Sequence, residues 1–227
     1  MNPHPLDTLE LLPVTAPRQL FVLLHGNGGA ALDMLALATL LGESFGEAAV
    51  VMPEGFEAIH LGKTVRQWFP TFELTDSNRA ERVAKAVPPL AAFIRQQQER
   101  FGILQSDTAL AGFAEGATLA LALSDTHDGL VGRVLAFSGR YAAWPDKAPS
   151  LTTLHLLHGQ LDEVVPVRLA KKLGATVLVM GSAVGGLNPQ YRVGDLVVLA
   201  DHINLMGVNP LVGPNDEKVG PRWPFFL

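Results

Sequence analysis

Five residues, Gly112-Phe113-Ala114-Glu115-Gly116, lie between a short apolar run and a strong helix former, Ala117–Ser124. A Gly-x-Ser-x-Gly pattern in that setting is a tight strand-to-helix turn that presents a serine oxygen as a nucleophile. The glycines are needed because the turn has no room for side chains beside the nucleophile. The chemistry would be acyl transfer, with free N–H groups at the helix start facing a developing oxyanion. Here the central residue is Ala114, which carries no oxygen. Alone, the five residues read equally well as an ordinary turn with two glycines.

Further residues strengthen the chemical reading. Leu23-Leu24-His25-Gly26-Asn27-Gly28-Gly29 ends an early apolar run. A loop of this kind supplies a second backbone N–H to an oxyanion hole. The expected donors are the N–H of Asn27 and the N–H of Glu115, with His25 structural. A later run ends in His158-Gly159-Gln160-Leu161-Asp162-Glu163-Val164-Val165-Pro166. Asp162 is the candidate acid, in the chain order Ser…Asp…His, and would orient an imidazole. Its alternative is to cap the helix that starts near Pro166. His202 is the one histidine after Asp162 and the candidate general base. Its alternative is a role internal to the later segment.

These residues need strands and helices to hold them. Leu20–Leu24, Ala48–Met52, Thr108–Ala111, Val131–Phe137 and Thr153–Leu157 are apolar runs of strand length. Helical composition covers Ala30–Leu41, and helical spacing covers Asn78–Phe101 and Val167–Leu173. Pro88 and Pro89 are expected to bend or split the long helix. The alternation implies a mostly parallel sheet with helices on both faces. Residues 54–76 read as a long irregular loop carrying Arg66-Gln67-Trp68-Phe69. Residues 138–152 are too few for a helical cap domain, so the site should be open, with Trp68 and Phe69 as the wall for acyl or alcohol groups. A packed loop anchor is the equal alternative for Trp68. After about residue 175 the texture changes: Thr176–Met180 and Leu196–Ala200 are strand-like, and Gly207–Leu227 is a Pro-rich tail.

The bulk numbers set bounds. The chain has 227 residues, 48% hydrophobic and 17% charged, as a single well-packed domain would. A net charge of −5 gives no reason to expect nucleic acid or an anionic membrane as partner. The absence of cysteine removes disulfides and thiolate chemistry. No metal-ligand spacing is present, Asp195, Asp201 and His202 making a poor trio, so neither metal nor cofactor is expected. No apolar stretch reaches spanning length and no signal peptide is visible, so the cytoplasm is the expected compartment.

Taken together, Leu24-His25-Gly26-Asn27-Gly28-Gly29, Arg66-Gln67-Trp68-Phe69, the elbow at 112–116, and His158-Gly159-x-x-Asp162-x-Val164-Val165-Pro166 resemble the bacterial phospholipase/carboxylesterase family. The resemblance covers roughly residues 18–172. It implies an α/β-hydrolase fold without a cap domain, and hydrolysis of short to medium carboxylic esters or thioesters through an acyl-enzyme. It also implies a serine where Ala114 stands. From about 176 to 224 the wording changes. Gly181-Ser182-Ala183-Val184-Gly185-Gly186-Leu187-Asn188-Pro189, Val193-Gly194-Asp195, Asp201-His202-Ile203-Asn204-Leu205 and Asn209-Pro210-Leu211 resemble an internal piece of trimeric purine nucleoside phosphorylases.

The joint expectation is a chimera forming one domain over 1–227, with 18–172 as hydrolase core and 176–227 completing the sheet and tail. Asp201-His202-Ile203 would replace the Gly-His-x-Ile segment of the hydrolase family. As it stands, the chain is expected to be an inactive or nearly inactive nucleophile-knockout form that still binds a small-molecule ester. The other readings are a non-catalytic ligand- or partner-binding pseudo-hydrolase and, less favoured, a nucleoside phosphorylase. Apolar groups left uncovered by a missing terminal helix would favour a homodimer.

Overall fold

The computed structural model describes residues 7–59, 65–143, 145–159 and 180–181. Asp162, His202, the expected helix Val167–Leu173, the expected strand Leu196–Ala200 and the tail lie outside the described residues.

Continuous apolar runs become the central strands. In chain order the strands among the described residues are β1 (Thr8–Leu11), β2 (Gln19–Leu24), β3 (Ala48–Pro53), β4 (Glu57–Ala58), β5 (Arg66–Gln67), β6 (Thr108–Phe113), β7 (Arg133–Phe137), β8 (Thr153–Gly159) and β9 (Met180–Gly181). The main sheet has the order β1-β3-β2-β6-β7-β8-β9. All its neighbours run parallel except β1, which lies antiparallel on β3 at the edge. β4 and β5 form a separate two-stranded ladder inside the loop that reads as irregular in the sequence.

Alternate residues of β2 serve opposite faces. Leu20, Val22 and Leu24 enter one core with the helices α2 (Asp76–Phe101) and α3 (Glu115–Thr126). Phe21 and Leu23 enter the other, with α1 (Leu35–Ser44) and the 3-10 turn that precedes it. The sheet is thus covered on both faces, as a parallel sheet must be. The described residues between β7 and β8 form bends and no helix, so no cap rises there.

α2 is one continuous helix, and Pro88 and Pro89 lie inside it without splitting it. The reason is where the lost hydrogen bonds fall. Prolines at 88 and 89 cannot donate to the carbonyls of Ala84 and Lys85. All four residues lie on the exposed side, where water can satisfy those carbonyls. The opposite stripe, Val83, Ala86, Val87, Leu90, Ala91 and Ile94, is buried and holds the helix to the sheet. Its ends are well made. Thr75 Oγ1 accepts from Asn78 N at 3.3 Å, Asn78 Oδ1 accepts from Thr75 N at 2.8 Å, and Gly102 closes the far end at φ 67°.

The chain passes from β2 outward to β3 and then returns to β6 on the other side of β2. This reversal opens a crevice at the carboxyl ends of β2 and β6, the place where open parallel sheets bind ligands.

Because the prolines only cost backbone bonds on a wetted face, the double substitution Pro88→Ala/Pro89→Ala should stabilise the fold by about 1–3 kcal/mol. Urea unfolding measures this, and a loss of stability would mean that the helix needs its proline bend to pack.

Candidate active site

Parallel register sets the first distance of the site. Leu24 of β2 stands opposite Gly112 of β6, so the His25–Gly29 loop and the 113–115 turn leave the sheet side by side. A Cβ placed on Gly26 would lie 3.8 Å from Ala114 Cβ.

The turn itself is strained. Ala114 has φ 49° and ψ −103°, a conformation that L-residues other than glycine rarely hold and that costs of the order of 1–3 kcal/mol. Three bonds keep it there. Ala114 N donates to Phe137 O at 2.9 Å, while Thr118 N and Thr118 Oγ1 donate to Ala114 O at 3.0 and 3.2 Å. Two glycines make the space. A Cβ on Gly112 would fall 2.4 Å from Gly116 C, and one on Gly116 would fall 2.6 Å from the carbonyl oxygens of Leu24 and His25. The strained turn is therefore complete around a side chain that is only a methyl group.

The two expected oxyanion donors stand on either side of the crevice. Asn27 is in the exposed turn after β2, and Glu115 is the first residue of α3. Among the described residues, neither amide N–H has a protein acceptor. The helix start adds the positive end of its dipole.

His25 is structural, as expected. It is fully buried, its Nδ1 lies 2.7 Å from Gly26 O, and its Nε2 accepts from Gly55 N at 3.0 Å. With Nε2 an acceptor, Nδ1 carries the proton and the ring is neutral. Burial also pushes its pKa down, against the Gly26 bond and the nearby Glu54.

Trp68 and Phe69 are in the core, 1% and 3% exposed. Trp68 Nε1 donates to His25 O at 2.8 Å, and its ring lies 5.0 Å from that of His25 and edge-on to Phe56 at 5.3 Å. Both side chains thus pack in the core, in keeping with the loop-anchor alternative for Trp68. Aromatic area this large is stabilised more by burial than by exposure to solvent, so both anchor the loop from inside.

The side chain of Glu115 is the functional feature that sequence reasoning missed. It is 7% exposed, and its Oε1 accepts from Trp68 N at 3.0 Å and Phe69 N at 3.1 Å. The other oxygen, Oε2, is buried with no partner among the described residues. Burial pushes the carboxyl up to about 7 from its ordinary 4.5, opposed by the Phe69 and Trp68 amide bonds and aided by Glu57. The signal was present in the chain: Glu115 is the only charged residue between Thr108 and Ser124. Ser138, like Ala114, is a non-glycine residue with positive φ. It follows β7 at φ 52°, one residue beyond the Phe137 that accepts from Ala114 N. Asp162 and His202 fall outside the described residues, so the geometry joins three of the expected positions, Ala114, Asn27 and Glu115.

Comparison with known proteins follows the same division of the chain. Residues 12–183 match the model of the Phospholipase/Carboxylesterase family, and residues 150–226 match that of the Phosphorylase superfamily. The chain is 36% identical over 153 residues to "Esterase YpfH" of Escherichia coli (strain K12), 67% of this chain and 66% of that protein. It is 47% identical over 72 residues to "Purine nucleoside phosphorylase 1" of Bacillus subtilis (strain 168), 31% of this chain and 27% of that protein. The chain thus spans just under two-thirds of the esterase relative and about a quarter of the phosphorylase. Among solved structures, esterase PE8 superposes with a TM-score of 0.64 at 32% identity, covering 74% of this chain and 80% of its own. His202 lies beyond the carboxylesterase match and inside the phosphorylase match. Among the described residues no helix is long and apolar enough to cross a membrane.

The raised Glu115 carboxyl sets a pH dependence. The folded state keeps the proton longer than the unfolded chain, so this contribution is complete below about pH 4.5 and is lost as pH rises to about 7. Its size is at most about 3 kcal/mol. Glu115→Gln keeps the acceptor and removes the titration. Its melting temperature should gain on that of the parent as pH rises from 5 to 8. A constant difference across that range would contradict the assignment.

Proposed function

The chain belongs to the phospholipase/carboxylesterase family, and from that premise we propose that it is a carboxylic ester hydrolase scaffold lacking only the nucleophilic oxygen at residue 114. The observation that carries this reading is the strained Ala114 turn, kept intact beside two amides that have no acceptor among the described residues. Backbone strain of this kind clusters at functional sites, which supports reading residue 114 as the frame of a nucleophile.

The proposed mechanism applies to the chain with serine at 114. Its Oγ attacks the ester carbonyl carbon, and His202 Nε2 takes the hydroxyl proton. The carbonyl oxygen becomes an oxyanion between the N–H groups of Asn27 and Glu115. Collapse expels the alcohol, which leaves with the proton from His202. Water, activated by the same base, then attacks the acyl-serine and frees the carboxylic acid. Asp162 holds the imidazole tautomer and stabilises its charged form.

With Ala114 the first bond cannot form. In another serine hydrolase, loss of the nucleophile lowers kcat by about 10⁶. The chain as it stands is accordingly proposed to bind small esters or their acids without turning them over. Ala114 itself favours the second reading, a pseudo-hydrolase that only holds a ligand. The close approaches at Gly112 and Gly116 favour a single substitution over gradual decay, because all parts around residue 114 are kept.

The segment from about 176 is proposed to complete the same domain and to bring His202 to the crevice. The parallel pairing of β9 with β8, His158 opposite Met180, supports that course.

The test is hydrolysis of p-nitrophenyl acetate and butyrate by the chain and by Ala114→Ser. Turnover is expected only in the serine form, falling by about 10³ or more with His202→Ala or Asp162→Asn added. Absence of turnover in the serine form would overturn the hydrolase reading.

A further inference from the structure

Glu115 takes part in the site twice, and the two parts of the residue point in different directions. Its N–H faces the crevice, while its carboxyl enters the core and accepts from Trp68 N and Phe69 N. Those two residues continue a strand segment that is tied to the other side of the crevice. Arg66 O accepts from Gly28 N at 3.0 Å, and Arg66 N donates to Gly29 O at 2.8 Å. Gly28 and Gly29 directly follow Asn27, the second candidate donor. Trp68 adds a further tie through its indole N–H to His25 O at 2.8 Å. Arg66 Nε donates to Gly55 O at 2.8 Å, and Gly55 N donates to His25 Nε2 at 3.0 Å, closing the loop on itself.

A continuous circuit therefore runs from Glu115 Oε1 through 66–69 to 26–29 and back to Glu115 N across the crevice. We infer that Glu115 is a positioning residue of the oxyanion hole: its backbone supplies one donor, and its carboxyl, acting through Arg66-Gln67-Trp68-Phe69, sets the place of the donor on Asn27. The role rests on the ester-hydrolase reading above. The circuit itself can be measured without any turnover.

The structural requirement is geometric. Oxyanion stabilisation needs both N–H groups aimed at one point before the charge develops. An error of about 1 Å in a positioned group lowers rate by about 10²-fold. The tip of the His25–Gly29 loop, Asn27 and Gly28, is exposed, while His25 at its base is fully buried. The buried carboxyl supplies rigidity, since its two acceptor bonds lie in the dry interior, where hydrogen bonds are strong.

Two measurements test this. In the chain as it stands, amide hydrogen exchange at Gly28 reports the bond to Arg66 O. Glu115→Ala should speed it at least tenfold under conditions where both proteins are fully folded, and Glu115→Gln, which keeps the acceptor, should speed it by less than about threefold. Equal exchange in the two variants overturns the circuit. Should Glu115→Ala not fold, Glu115→Asp, one methylene shorter, is read in the same way. In the Ala114→Ser background, Glu115→Ala should lower kcat per titrated site by 10- to 100-fold with KM within threefold, and Glu115→Gln should restore most of it. A purely structural role would leave kcat per titrated site unchanged, and that result also overturns the inference. If Ala114→Ser shows no turnover, the hydrolase reading falls, while the exchange experiment still decides whether Glu115 holds the 26–29 loop.

Discussion

The first turn of α3 lies so close to the end of β2 that a single added carbon at Gly116 would collide with the carbonyl oxygens of Leu24 and His25. That approach brings the helix start against the His25–Gly29 loop, and it forces the reversal at Ala114. Gly112 clears the same space from the strand side. Once α3 is seated, the N–H of Glu115 faces outward beside the loop and its carboxyl faces inward toward residues 68 and 69. Strain, donor placement and the buried anchor all follow from how closely one helix can approach one strand.

Two ionisable side chains in this region are held by burial in their neutral direction. Burial lowers the pKa of His25 and raises that of Glu115. Each uses its polar atoms to bind backbone amides of the 54–69 segment, His25 at Gly55 and Glu115 at Trp68 and Phe69. A charge on Glu115 would lack full compensation, because its Oε2 is buried without a hydrogen-bond partner among the described residues. The region is thus a set of directional bonds around a hydrophobic anchor. Such a set specifies geometry rather than charge, which suits a site whose own charge develops only during reaction.

Much of this could be read from the chain because the relevant signals are local. The central strands are unbroken apolar runs, and the turn glycines are recognisable by spacing. β1 escaped because Thr8–Leu11 is half-exposed and antiparallel, with no continuous apolar run to mark it. Pro88 and Pro89 do not split α2, because the effect of a proline depends on which face it occupies, a tertiary fact. Cleft wall and loop anchor stay equal readings for Trp68 in the sequence because an aromatic pair in a polar loop looks the same whether it turns inward or outward. The role of the Glu115 side chain required knowing that residues 47 positions apart in sequence meet in the core. Nothing in a linear spacing encodes that.

The account stands on one claim: residue 114 occupies a working nucleophile position from which only an oxygen is missing. The most direct measurement is covalent labelling of the Ala114→Ser chain with a fluorophosphonate, followed by intact mass and peptide mapping. The reagent requires the serine oxygen, a base to take its proton and donors for the phosphoryl oxygen, all in one geometry. The account predicts one adduct per chain, on residue 114, lost on His202→Ala, and no adduct on the chain with alanine. An unlabelled serine variant, or label carried elsewhere, would contradict it.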